Sequence, residues 1–90
     1  MRKSSSTVNI SVQHRLDLPA LRQTKGISLR QIADTTKISL RFLQAIEQGE
    51  FDKLPGGIYS ISYIRQYARA IDCEESQLLA YYKSSMGARS

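Results

Sequence analysis

IADTTKISLRFLQAI, residues 32–46, holds the decisive feature of the chain. Ile32 and Ala33 suit one helix and Leu43 and Ile46 another. Between them, Asp34-Thr35-Thr36-Lys37-Ile38-Ser39 carries three hydroxyls and a carboxylate that compete with the backbone for hydrogen bonds. One helix is therefore expected to stop near Thr36 and another to begin at once. Ser28, with Gln31 three residues on, reads as a capping box ahead of Leu29, Ile32 and Ala33. Ser39 offers the next N-cap, ahead of Phe42, Leu43 and Ile46, and Gly49 suits a left-handed stop. Two caps eleven residues apart predict two short helices meeting at a corner, with Ile32, Ala33, Ile38, Leu43 and Ile46 turned inward.

Upstream, Asp17 is an N-cap candidate, Pro19 fits a first turn, Leu18 and Leu21 form an apolar edge, and Gly26 ends that helix. Residues 1–16, MRKSSSTVNISVQHRL, read as a flexible N-terminal arm, and the alternation Val8-Asn9-Ile10-Ser11-Val12 has no strand to pair with. Downstream, Glu50 to Gly57 is a turn-rich connection anchored by Phe51 and Leu54. Ile58, Ile61, Ile64, Ala68 and Ile71 recur at three and four, an amphipathic helix of about four turns. Asp72 or Cys73 precedes a last helix whose first turn holds Glu74 and Glu75 and whose inner face is Leu78, Leu79 and Tyr82. After Lys83 the chain is polar and fraying is expected. The resulting division is arm 1–16, folded domain 17–84 and flexible C-terminal tail 85–90.

A chain of 90 residues holds one small core. Cys73 is its one cysteine and His14 its one histidine, which excludes an intramolecular disulfide and the familiar zinc spacings and suits a reducing cytosol. The longest apolar run, Leu78 to Tyr82, is far short of the roughly 20 residues of a membrane helix, and no secretion-signal core precedes it. A cytoplasmic chain with no membrane span is expected. Net charge is +5 and uneven: residues 1–45 hold eight Lys or Arg against two Asp, whereas residues 46–90 hold five against six acids. A basic first half points toward a polyanionic partner or a solvated face.

Two short helices joined by a tight turn can lay the second helix into the DNA major groove. From Leu21 to Tyr82 the chain resembles the lambda-repressor-like (XRE-type) helix-turn-helix superfamily, and within it the RodZ-like subfamily. The pieces KGISLRQIADTTKIS, FLQAIEQGEFDKLPGGIY, YIRQYARAI and QLLAYY carry the resemblance. It implies an all-α, compact five-helix lambda-repressor-like domain and two distinct functions. Most of the superfamily binds operator DNA in transcription regulation. RodZ-like proteins act in bacterial cell shape, and their cytoplasmic domain binds the actin-like filament protein MreB through the region of the fourth helix. A full RodZ continues into a membrane helix, which would place such a domain at the cytoplasmic face of the membrane.

For double-stranded DNA, the expected contacts are Ser28, Leu29, Arg30, Lys37, Ser39, Leu40, Arg41 and Gln44. Arg41 suits guanine and Gln44 adenine, while Arg30, Lys37 and the backbone N–H groups near Ser28 suit phosphates. Leu29 and Leu40 stand where DNA-binding relatives commonly place polar side chains, and Lys37 where many have a turn glycine. Leucine meets a thymine methyl but makes no hydrogen bond to a base edge. For the filament partner, Tyr59, Tyr63 and Tyr67 fall at i, i+4 and i+8. Tyr67 lies nearest the apolar line, so packing competes with docking there. An enzyme has little support: no phosphate loop or carboxylate pair stands in a cleft, and Cys73 among Asp72, Glu74 and Glu75 reads as structural. The chain is thus expected to be a non-enzymatic binding module without cofactor, metal or small-molecule substrate, DNA being placed first and the RodZ-like adaptor second.

Overall fold

The first helix, α1 (Leu18–Thr24), starts where Asp17 accepts the Ala20 N–H at 3.2 Å, with Pro19 in the first turn. In the computed structural model, which describes residues 17–89, four more α-helices follow: α2 (Leu29–Thr36), α3 (Leu40–Gln48), α4 (Gly57–Ala70) and α5 (Glu75–Arg89). The expected all-α, five-helix architecture is present, and no strand occurs among the described residues. The N-terminal arm, including Val8 to Val12 and His14, lies outside them.

The corner forms for local reasons. Ser28 Oγ accepts the Gln31 N–H at 3.1 Å, and the Gln31 side chain accepts the Ser28 N–H at 2.8 Å, closing the capping box. At the other end, Thr36 Oγ1 donates to the Ile32 carbonyl (2.7 Å) and accepts the Ile38 N–H (3.2 Å), so one hydroxyl serves both the helix end and the turn. Lys37 takes the left-handed conformation, φ 66°, where a glycine would sit without strain. Ser39 Oγ then accepts the Arg41 N–H at 3.2 Å and α3 begins. Ile32, Ile38, Leu43 and Ile46 are buried, and Ala33 packs against them.

Gly49 ends α3 at φ 74°, and a Cβ there would lie 2.7 Å from Tyr81 Oη. Gly26 shares the conformation (φ 69°) but faces open space. Gly49→Ala is therefore expected to cost more than the ~1 kcal/mol of backbone strain that Gly26→Ala costs, because Tyr81 is held edge-on to Phe51 and must move. Thermal melts of the two variants compare them.

Phe51, in a single 3₁₀ turn (Phe51–Lys53), is 3 % exposed and meets Tyr81 and Tyr82 edge-on, centroids 5.3 Å away in both cases. Edge-to-face pairs of this kind add about 0.5–1.5 kcal/mol each beyond area burial. They fasten α5 to the connection, as Phe51 and Leu54 were expected to do. α5 continues past Lys83 to Arg89, with Met86 packed against the core. Leu79, Tyr82 and Met86 repeat at three and four, so the inner face outlasts the polar composition.

In α4 the expected inner line needs correction. Ile64, Ala68 and Ile71 are buried, Ile61 is half-buried, but Ile58 is 75 % exposed. Each three-residue step falls about 60° short of a full turn, so two steps back from Ile64 put Ile58 roughly 120° off the core axis. Ser60 fills that inner position instead, 1 % exposed, its Oγ accepting the Gly56 N–H at 2.8 Å.

Candidate functional site

Two surfaces carry the sequence-derived candidates. On the helix-turn-helix, Arg30, Lys37, Arg41 and Gln44 are exposed, and the three cations form no ion pair among the described residues. Ser28 and Ser39 are exposed but already spend their hydroxyls on the N-caps. Leu29 and Leu40 are half-buried, and Leu29 packs against the core. Its apolar character thus has a packing cause, whatever its bearing on base reading. The surface is electropositive, with Asp34 its exposed acid.

On α4, the tyrosine stripe turns across the helix surface, because steps of four overshoot a turn by about 40° each. Tyr59 is 64 % exposed, Tyr63 is half-buried and stacked on Phe42 of α3 (centroids 5.6 Å, planes 29° apart), and Tyr67 is fully buried. Tyr67 therefore has no surface to offer a partner, which corrects its inclusion among the docking residues. Ile58, beside Tyr59, joins the exposed apolar surface instead. The exposure of Ile58 escaped the sequence reading although the angular drift of its spacing could have shown it.

A polar network inside the domain also escaped that reading. Glu47 on α3 receives Arg22 of α1 through two hydrogen bonds, Nε to Oε2 at 2.6 Å and Nη2 to Oε1 at 3.3 Å. The remaining Arg22 nitrogen, Nη1, donates to the Ile27 carbonyl at 3.0 Å. Tyr67 of α4 donates its hydroxyl to Glu47 at 2.7 Å. One carboxylate thus joins α1, α3 and α4 and fixes α4 against α3. The Glu47 hydrogen bond raises the Arg22 guanidinium above its ordinary value. Burial, then the bond to Glu47, pushes the Tyr67 phenol far above its ordinary value of 10.0.

Unfolded Tyr67 ionises near pH 10 whereas the folded residue keeps its proton, so unfolding releases a proton at alkaline pH. The stabilisation is complete below pH 10 and falls as pH rises above it. Tyr67→Phe is expected to cost about 1.5–3 kcal/mol at pH 7, the value of a hydrogen bond to a charged group. It should also flatten the alkaline decline. Melting temperatures of both proteins between pH 7 and 11 check each point.

Cys73 is half-buried, and its thiol is raised by burial and then by the Glu74 charge, which keeps it protonated and poorly nucleophilic. Among the described residues no group of three or more His, Cys, Asp or Glu is placed to hold a metal ion, and no helix is long and apolar enough to cross a membrane.

A helix-turn-helix domain family matches residues 17–78. The chain is 37 % identical over 60 residues to the uncharacterized membrane protein YmfM of Bacillus subtilis (strain 168), covering 67 % of the chain and 21 % of that protein. It is 35 % identical over 63 residues to the cytoskeleton protein RodZ of Streptococcus pneumoniae (strain ATCC BAA-255 / R6), covering 70 % of the chain and 23 % of that protein. The matched segment is thus less than a quarter of either relative's length. No solved structure matches the chain. From the capping box through the corner to the matched residues, the chain belongs to the helix-turn-helix domain family, as a RodZ-like member of the lambda-repressor-like superfamily.

Proposed function

We propose that the chain is a non-enzymatic adaptor domain that docks on a bacterial actin-like filament protein through the outward face of α4, at the cytoplasmic face of the membrane. The observation that carries this reading is the adjacent pair Ile58 and Tyr59, 75 % and 64 % exposed on a well-packed helix. Large apolar side chains paired in water near a rigid aromatic are the composition of a binding hot spot. Two relatives, one named as a cytoskeleton protein and the other as a membrane protein, support the same direction. So does Leu40, a half-buried apolar residue at the start of the helix that would read bases.

A second reading, DNA binding through α3, is favoured by one specific observation: Arg30, Lys37 and Arg41 are exposed with no ion pair among the described residues. Arg41 and Gln44 would read bases, with Arg30 and Lys37 on phosphates. Co-sedimentation with polymerised actin-like protein, beside fluorescence anisotropy with a labelled duplex over a salt series, separates the two. The adaptor reading expects saturable pelleting with filaments and only weak, salt-sensitive duplex binding. Duplex binding that survives physiological salt and is lost in Arg41→Ala, with no pelleting, would reverse the order.

A further inference from the structure

Beside Ile58, the outward side of α4 forms an open groove of about 370 Å³ lined by Ile58, Ile61, Ser62, Arg65, Gln66 and Arg69. The lining is apolar at its start and cationic at its end, and it contains no carboxylate. Arg65 and Arg69, one turn apart, both direct Nε at Glu75, at 2.9 Å to Oε1 and 2.6 Å to Oε2. Hydrogen bonds from Arg69 and then Arg65 hold the Glu75 carboxyl below its ordinary range, so it remains a charged anchor for both. The side chains of Arg65 and Arg69 are 50 % and 60 % exposed, and their Nη nitrogens have no acceptor among the described residues. Two planar forks are thus oriented in advance, each with donors left over for a further carboxylate.

We propose that this groove receives an acidic amphipathic segment of the protein partner, whose apolar side chain covers Ile58 and Ile61 while its carboxylates bond the Nη nitrogens of Arg65 and Arg69. The inference rests on the reading of α4 as the docking face and adds the chemistry of what docks there. Charge limits the register. Beyond Arg69 the turn into α5 carries Asp72, paired with Lys25 at 3.2 Å, and Glu74, which accepts from Ser76 at 3.3 Å. These acids repel a carboxylate placed further along, so the partner's acids belong opposite Arg65 and Arg69. An anionic bilayer is the poorer match, since two arginines already shared with Glu75 fall short of the cluster of about four to eight cations that holds a protein on lipid.

The test is co-sedimentation of the 90-residue chain with polymerised actin-like protein at low and physiological salt. It compares the parent chain, Tyr59→Ala, an Arg65→Ala/Arg69→Ala double variant and the corresponding double Lys variant, all first shown by circular dichroism to be folded. The double Ala variant is expected to bind on the order of tenfold more weakly and to lose most of the salt dependence. The double Lys variant should keep the salt dependence yet recover only part of the affinity, because an ammonium lacks the fork. If the parent and the double Ala variant bind alike while Tyr59→Ala fails, the acidic-segment inference is overturned and the docking face stands. Equal binding by the double Lys variant overturns the role given to the forks. No pelleting of the parent chain overturns the docking face and this inference with it.

Discussion

Replacing Glu47 with alanine is expected to remove about 3–5 kcal/mol of folding stability, the cost of breaking a buried ion pair from one side. The Glu47 side chain is 8 % exposed and that of Arg22 17 %, so loss of the carboxylate leaves the guanidinium without its counter-charge, with only Nη1 still bonded to the Ile27 carbonyl, and the Tyr67 hydroxyl without its acceptor. Small domains have total stabilities of only about 5–15 kcal/mol, so the variant should be marginal. For a domain of this size the melting temperature should fall by roughly 15 °C or more, measured by circular dichroism at pH 7. Arg22→Ala should approach the same loss, and the double variant should cost less than the sum of the two, as partners in one network do. A Glu47→Ala loss under ~1 kcal/mol would mean that the network is ornamental and that apolar packing alone sets α4 against α3.

Tyr59→Ala should have the opposite profile: full stability and a binding defect. With 64 % of Tyr59 exposed, truncation opens no cavity, and the melting temperature should stay within a degree or two of the parent. In an interface centred on Ile58 and Tyr59, however, a rigid aromatic anchor contributes about 2 kcal/mol or more, about thirtyfold in affinity. Tyr63→Ala is a less clean probe. Tyr63 stacks on Phe42, so its loss loosens the α3–α4 contact as well as any partner contact. Filament co-sedimentation paired with thermal melts separates the profiles, and a Tyr59→Ala variant that pellets like the parent would remove this residue from the docking face.

What was legible in the sequence is what the chain settles locally. Asp17, Ser28, Gln31 and Ser39 cap within three residues of their own positions, and Gly26 and Gly49 take the left-handed conformation that few other residues adopt cheaply. The corner between α2 and α3 followed from those signals. Ile58 was misplaced, and Tyr67 went to the core as its place nearest the apolar line suggested, because spacings of three and four, repeated several times, drift around a helix in opposite senses. The drift takes Ile58 out to water and Tyr67 into the core. The Arg22–Glu47–Tyr67 network joins residues 20 and 25 positions apart, and no local pattern announces it. The packing of Met86 against the core was hard to read because it sits among small and polar residues that mask the continuing inner face of α5. The candidate surfaces were legible as residue types, whereas which of them reach water depended on packing.

The decisive experiment follows the backbone amide resonances of the isotopically labelled domain during two separate titrations, one with the actin-like protein and one with duplex DNA at physiological salt. The adaptor reading predicts that the filament protein shifts or broadens a contiguous set on α4, centred on Ile58, Tyr59, Ser62 and Arg65, and leaves Arg41 and Gln44 unmoved. Duplex DNA should produce only small, diffuse changes. Strong, saturable shifts at Ser39, Arg41 and Gln44 with DNA, and none on α4 with the filament protein, would contradict the account and make α3 the working face of the domain.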